Sequence, residues 1–179
     1  MDWMALGLSL QLGLVTVALL LPVAFVLARW LAFNRFRGRG FVEALVALPL
    51  ILPPTVVGFY LLAAFGRNSP AGAAFESVFG HPLVFSFEGL VLASLLVNLP
   101  FAVQPMQNAL AAIPPNIRDA ARCCGLAPLA AVRRIELPLA LPGIATAAVP
   151  TFAHTLGEFG GVLMVGGSIP GETRRVAIA

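Results

Sequence analysis

The side chains able to do chemistry in this 179-residue chain are few and scattered. His81 and His154 stand in separate segments, and the two cysteines, Cys123 and Cys124, are adjacent, with no CxxC-type metal spacing. There is no Ser/His/Asp set and no glycine-rich phosphate loop. The residues therefore do not compose an enzyme, and no cofactor or metal is expected. The paired cysteines read as two small apolar helix residues.

The densest charge is in DAARCCGLAPLAAVRRIELP, Asp119 to Pro138. Asn116, after Pro114-Pro115, reads as the N-cap of a short helix, with Asp119 at the third position closing the cap. Ile117, Ala120, Ala121 and Cys124 share one face; Arg118 and Arg122 fall on another. Gly125 fits the left-handed stop, and Pro128 opens a second helix that runs through Arg133, Arg134, Ile135 and Glu136 into Leu137-Pro138. The first helix, about eight residues or roughly 12 Å long, is too short to be stable alone. Its small alanine face suits close docking to a partner. Resting on the bilayer surface is the other reading, and the weak apolar face argues against it.

The elements around this stretch are membrane-like. The chain is 59% hydrophobic and 11% charged, against about 25% charged in soluble domains; its mean hydropathy is +0.94. No charge occurs between Asp2 and Arg29, Glu43 and Arg67, Glu88 and Arg118, or Glu136 and Glu158. Each gap is long enough to cross a bilayer core of about 30 Å. Spans are predicted near 6–28, 42–65, 86–110 and 137–158. The first lacks a basic leader region and reads as a retained span, not a cleaved signal.

All eleven basic residues are arginine. Four flank the first connection (Arg29, Arg35, Arg37, Arg39), Arg67 is alone in the second, Arg118, Arg122, Arg133 and Arg134 fill the third, and Arg174 and Arg175 lie near the C-terminus. They do not form one face, so no nucleic acid is expected as a partner. By the positive-inside rule the first and third connections are cytoplasmic and the N-terminus is outside. The second connection, 66–89, is too polar to span and reads as carrying a short helix at 71–79, with His81 a loop residue.

Within the spans, Pro49, Pro53 and Pro54 must kink or break the second. Broken backbone in lipid is tolerated against protein or a water-filled path, so Pro53, Pro54 and Thr55 are candidate path residues; a packed kink is the other reading. Pro100 and Pro105 kink the third span, whose amides Asn98, Gln104, Gln107 and Asn108 either bond between helices or line a polar path. His154 in the fourth span is a path candidate or a hydrogen-bonded interhelical histidine. Glu158 follows Pro138 by twenty residues, about 30 Å of helix. With Gly157, Phe159 and Gly160 it reads as a structural or gating element at the outer end, not an anion ligand; an interface-level acid at a loop start is the other reading.

The spacing Asp119-Ala120-Ala121, Gly125, Ile135, Leu137-Pro138 resembles the EAA motif of ABC importer permeases, with Asp in place of Glu. LPLILPPTVVGFYLL (48–62), LPLALPGI (137–144), TLGEFGG (155–161) and IPGETRR (169–175) are similar to the molybdate permease family; sulfate permeases share LGEFG and differ at PGET. The resemblance covers almost the whole chain. It implies an all-α polytopic transmembrane helical bundle of the type I importer permease fold, as one transmembrane domain over 1–179 with a cytoplasmic coupling loop at 114–137.

The resemblance also implies that the motif residues couple to a cytoplasmic ABC ATPase subunit through the short helix. A periplasmic or extracellular molybdate-binding protein would deliver the oxyanion to a pair of permease copies in the inner (plasma) membrane. Sulfate, thiosulfate and tungstate are the alternative solutes, and a non-transporting membrane scaffold is the alternative class. Family members continue with a further loop and final span, so the chain is expected to lack the last span.

Overall fold

The computed structural model describes residues 3–157 and 161–167. Among them every regular element is helical. Three helices are long and apolar enough to cross a membrane: Ala5–Phe33, Phe87–Ala111 and Pro128–Gly157. A bent pair, Arg39–Ile51 and Pro54–Phe65, passes the same test of length and composition only when its two arms are taken together.

The core is a three-helix unit of α1 (Trp3–Phe33), α5 (Phe87–Ala111) and α8 (Leu137–Gly157), which pack on one another. The first helix is thus one wall of the bundle. The buried stripe of α8 is Ala140, Gly143, Ala147, Thr151 and Thr155, all small residues at helical spacing. Small residues let backbones approach, which is the main source of helix adhesion where lipid removes the hydrophobic gain. At Gly143 the approach is extreme: a Cβ there would lie 2.4 Å from Ala109 Cβ and 2.9 Å from the Pro105 carbonyl oxygen. Against this stripe α5 sets Val103, Met106 and Leu110, and α1 sets Leu20, Ala24, Ala28 and Leu31, all buried.

The second span, expected over 42–65 with a kink or break at its prolines, is indeed interrupted there. It is two helices, α2 (Arg39–Ile51) and α3 (Pro54–Phe65), meeting at 110°. The cause is local. A residue before proline is pushed out of the helical region, and Leu52 has φ −79° and ψ 141°. Pro53 is extended as well, and Pro54 takes the first position of α3, where its missing N–H costs nothing. Pro49, by contrast, is absorbed inside α2. The two arms then go separate ways: α2 packs on α5, while α3 packs on α4 (Pro70–Phe79) and α9 (Gly161–Gly166).

Helix α4 lies where a short helix was expected. Ser69 caps it, accepting from the Gly72 N–H at 2.9 Å, and Gly80 ends it at φ +76°. Arg67, at the same end of the molecule, pairs with Glu76 at 3.2 Å.

Candidate functional site

The charged stretch folds as α6 (Pro115–Cys123), a turn, then α7 (Pro128–Ala131), which runs through a π-turn at Val132–Glu136 into α8 without a break. The start of α6 corrects the sequence reading. Pro114 is its N-cap and Pro115 its first residue, so Asn116 caps nothing and Asp119 lies beyond the third position. Proline wins that place because its φ is already helical and it has no N–H to satisfy. Asp119 is instead exposed and faces Arg122 at 3.6 Å, a surface pair of small energetic weight.

The end of α6 is as expected. Gly125 has φ +70°. Its N–H donates to the Arg122 carbonyl at 2.9 Å, and the Leu126 N–H donates to the Ala121 carbonyl at 3.1 Å. That pair of hydrogen bonds closes the free carbonyls of the last turn and requires a left-handed residue at position 125.

The motif residues divide between two faces. Ala121 is buried, and with Leu126, Ile135 and Glu136 it lines a pocket between the turn and the root of α8. Its assignment to the outward docking face is therefore wrong: Arg118 and Ala121 point inward. Ile117, Asp119, Ala120 and Cys124 stay exposed, so a small outward face survives. Leu137 and Pro138 are exposed at the root of α8.

Glu136 is a buried acid that the sequence pattern does not single out. It is 3% exposed. Arg29 of α1 donates to its two carboxylate oxygens at 2.5 and 3.2 Å. Arg118 of α6 stands 3.7 Å from the same carboxylate, with its guanidinium 3.5 Å from the Phe33 ring centroid. The only signal in the sequence is an acid set among four arginines of one connection. Its main partner lies 107 positions away in the chain, out of reach of any local pattern.

These contacts bring the end of α1, the start of α2, the end of α5 and all of α6 to one end of the bundle. Gln107 of α5 donates to Glu43 of α2 at 2.7 Å, and Arg39 donates to the same carboxylate at 2.9 Å. Of the nine arginines within the described residues, Arg67 alone lies at the other end.

A cleft of about 510 Å³ opens between α2, α5 and α8. Gln104, Asn108, Thr146 and Leu50 line it, together with prolines of α5 and α8. No charged side chain does. Both cleft amides are exposed, a costly state for a spanning helix unless water, solute or another protein meets them. The four amides of α5 thus split: Asn98 donates to Thr155 at 3.1 Å and Gln107 to Glu43, while Gln104 and Asn108 face the cleft.

His154 lies one turn beyond the cleft. Its Nδ1 is 3.1 Å from the Asn98 side-chain oxygen, and its ring sits 4.6 Å from that of Phe101, which lines the cleft. It is a hydrogen-bonded interhelical histidine beside the cleft. Pro53, Pro54 and Thr55 are exposed at the α2–α3 joint and do not line this cleft; Leu50, one turn earlier, does. Gly157 ends α8 with open space around its Cα. Glu158, Phe159 and Gly160 lie outside the described residues.

A protein family described as binding-protein-dependent transport system inner membrane component matches residues 12–178. The molybdenum transport system permease protein ModB of Azotobacter vinelandii is 48% identical over 177 residues, 99% of this chain and 78% of that protein. ModB of Escherichia coli (strain K12) is 36% identical over 178 residues, 99% of this chain and 78% of its own length. The putative molybdenum transport system permease protein YvgM of Bacillus subtilis (strain 168) is 36% identical over 172 residues, 96% and 76% of the two chains.

Proposed function

The chain belongs to the binding-protein-dependent transport inner membrane component family, and from that premise we propose that it is the permease of an ATP-driven importer of molybdate. ATP hydrolysis takes place on a separate cytoplasmic subunit, an external binding protein delivers the oxyanion, and two copies of this chain form the path. The N-terminus is outside and the arginine-rich end faces the cytoplasm, where positive charge is retained. The similarity to relatives named for molybdenum transport supports the solute.

The observation that carries the reading is α6: a helix too short to be stable alone, held at the arginine-rich end with a small apolar face exposed. Ile117 and Ala120 on that face enter a groove of the ATPase. ATP-driven closure of the ATPase pair moves α6, and the movement passes to α8 (Leu137–Gly157) and so into the membrane. Gly125, left-handed at φ +70°, sets the direction in which the chain leaves α6.

The solute passes along the face of α5 and α8 that carries Gln104, Asn108 and Thr146. These groups are neutral, so a divalent oxyanion meets hydrogen-bond partners without a charge that would trap it. Specificity is then left to the binding protein. Phe101 and His154 close the cleft on its outer side.

The test is reconstitution of this chain with its ATPase and binding protein in vesicles. ATP-dependent uptake of radiolabelled molybdate, resisted by excess sulfate and competed by tungstate, is expected. Uptake of sulfate in preference to molybdate, or no stimulation of hydrolysis by the loaded binding protein, overturns the reading.

A further inference from the structure

The Arg29–Glu136–Arg118 cluster touches no part of the cleft, yet it is the most buried ionic group among the described residues. We propose that Glu136 is a positioning residue for energy coupling: it fastens α6 to the ends of α1 and α8, so that movement of α6 is delivered to both spanning helices together. This rests on the coupling role proposed for α6 above.

The packing of α6 makes such a fastening necessary. No other helix packs broadly along it. By the chain it reaches α8 only through the Gly125–Ala127 turn, four residues of α7 and a π-turn. A π-turn is a rare, functionally enriched interruption with poorer hydrogen-bond geometry. A push on α6 transmitted by the backbone alone would be taken up at those soft points. Arg118 bypasses them. It crosses directly to the carboxylate at the root of α8 and lays its guanidinium on Phe33 at the end of α1.

The ionic character of the cluster argues against simple stabilisation. A buried ion pair is often no more stable than well-packed apolar residues in its place. What it offers is direction and a defined geometry. Glu136 is also shared: two guanidiniums meet one carboxylate, and the Phe33 ring face takes up the surplus positive charge of Arg118. The Arg29–Glu136 pair is therefore complete without Arg118, and the tie to α6 can be cut without stranding a buried charge.

That asymmetry sets the experiment. In the whole transporter reconstituted with ATPase and binding protein, Arg118→Gln leaves the Arg29–Glu136 pair intact and spares the fold. It is expected to assemble with the ATPase and keep basal hydrolysis. Stimulation of hydrolysis by the loaded binding protein, and uptake per ATP, should fall by on the order of tenfold, the scale of an inter-site coupling. Glu136→Gln should show the same loss, and Arg118→Lys should restore part of it by keeping the charge.

Full stimulation in Arg118→Gln overturns the proposal, whether or not Glu136→Gln accumulates. Loss of basal hydrolysis or of assembly in Arg118→Gln also overturns it, by reducing the role to one of stability. The solute reading is tested separately: a wild-type complex that is stimulated but carries no molybdate fails that reading and leaves the coupling comparison intact.

Discussion

Gly125 shows how much a single residue type at a single spacing can disclose. Its place after a short helical pattern calls for a left-handed residue, and it has φ +70°. Nothing crowds its Cα, so conformation alone restricts the position. Gly125→Val is expected to cost about 1–3 kcal/mol of local stability, to reorient α6, and to uncouple hydrolysis from uptake while membrane insertion stays normal; parallel assays of insertion, ATPase and uptake check it. Other residues depart from their expected roles by small margins. Asn116 and Asp119 miss their capping places because Pro115 opens the helix itself. The four amides of α5 look alike in the sequence, and only the side of the helix that α8 and α2 cover decides which of them find partners. Glu136 is legible as a charge and not as a junction, because its partners come from helices far away in the chain.

At the scale of elements, apolar run length is a good guide. Three of the four expected spans stand close to their expected limits, since about 20 uncharged residues have few uses other than crossing a bilayer. The second span reads as one segment that has to kink or break, and the 110° angle between its arms follows from two prolines in succession. Helix contacts are not legible, because lipid and protein both accept apolar side chains. The α8 stripe of small residues fixes them. Gly143→Val is expected to force α5 and α8 apart, since even its Cβ would meet Ala109 at 2.4 Å. Overpacking of this kind costs typically about 1–3 kcal/mol, and a lowered unfolding temperature of the detergent-solubilised protein is the measurement. An unchanged melting point would mean that the α5–α8 contact is looser than described.

For the whole molecule, the distribution of arginine anticipates which connections share an end, and the ion pairs of Arg29 and Arg118 with Glu136 bear that grouping out. The direction of insertion is open to a direct test with groups the protein already has. Cys123 and Cys124 are exposed at the arginine-rich end. A membrane-impermeant thiol reagent should label them in inverted vesicles stripped of the ATPase and leave them untouched in intact cells; labelling from outside would reverse the assigned orientation. The joint at Leu52–Pro54 has a consequence of another kind. A helix that flexes must ordinarily sever main-chain hydrogen bonds and make them again. Two consecutive prolines carry no N–H and donate no such bond across the joint; the Pro53 carbonyl accepts only from Val56 and Val57, inside α3. A change of angle between α2 and α3 at this joint therefore leaves the main-chain bonds of both arms in place, Leu52 to Leu48 on one side and Val56 and Val57 to Pro53 on the other.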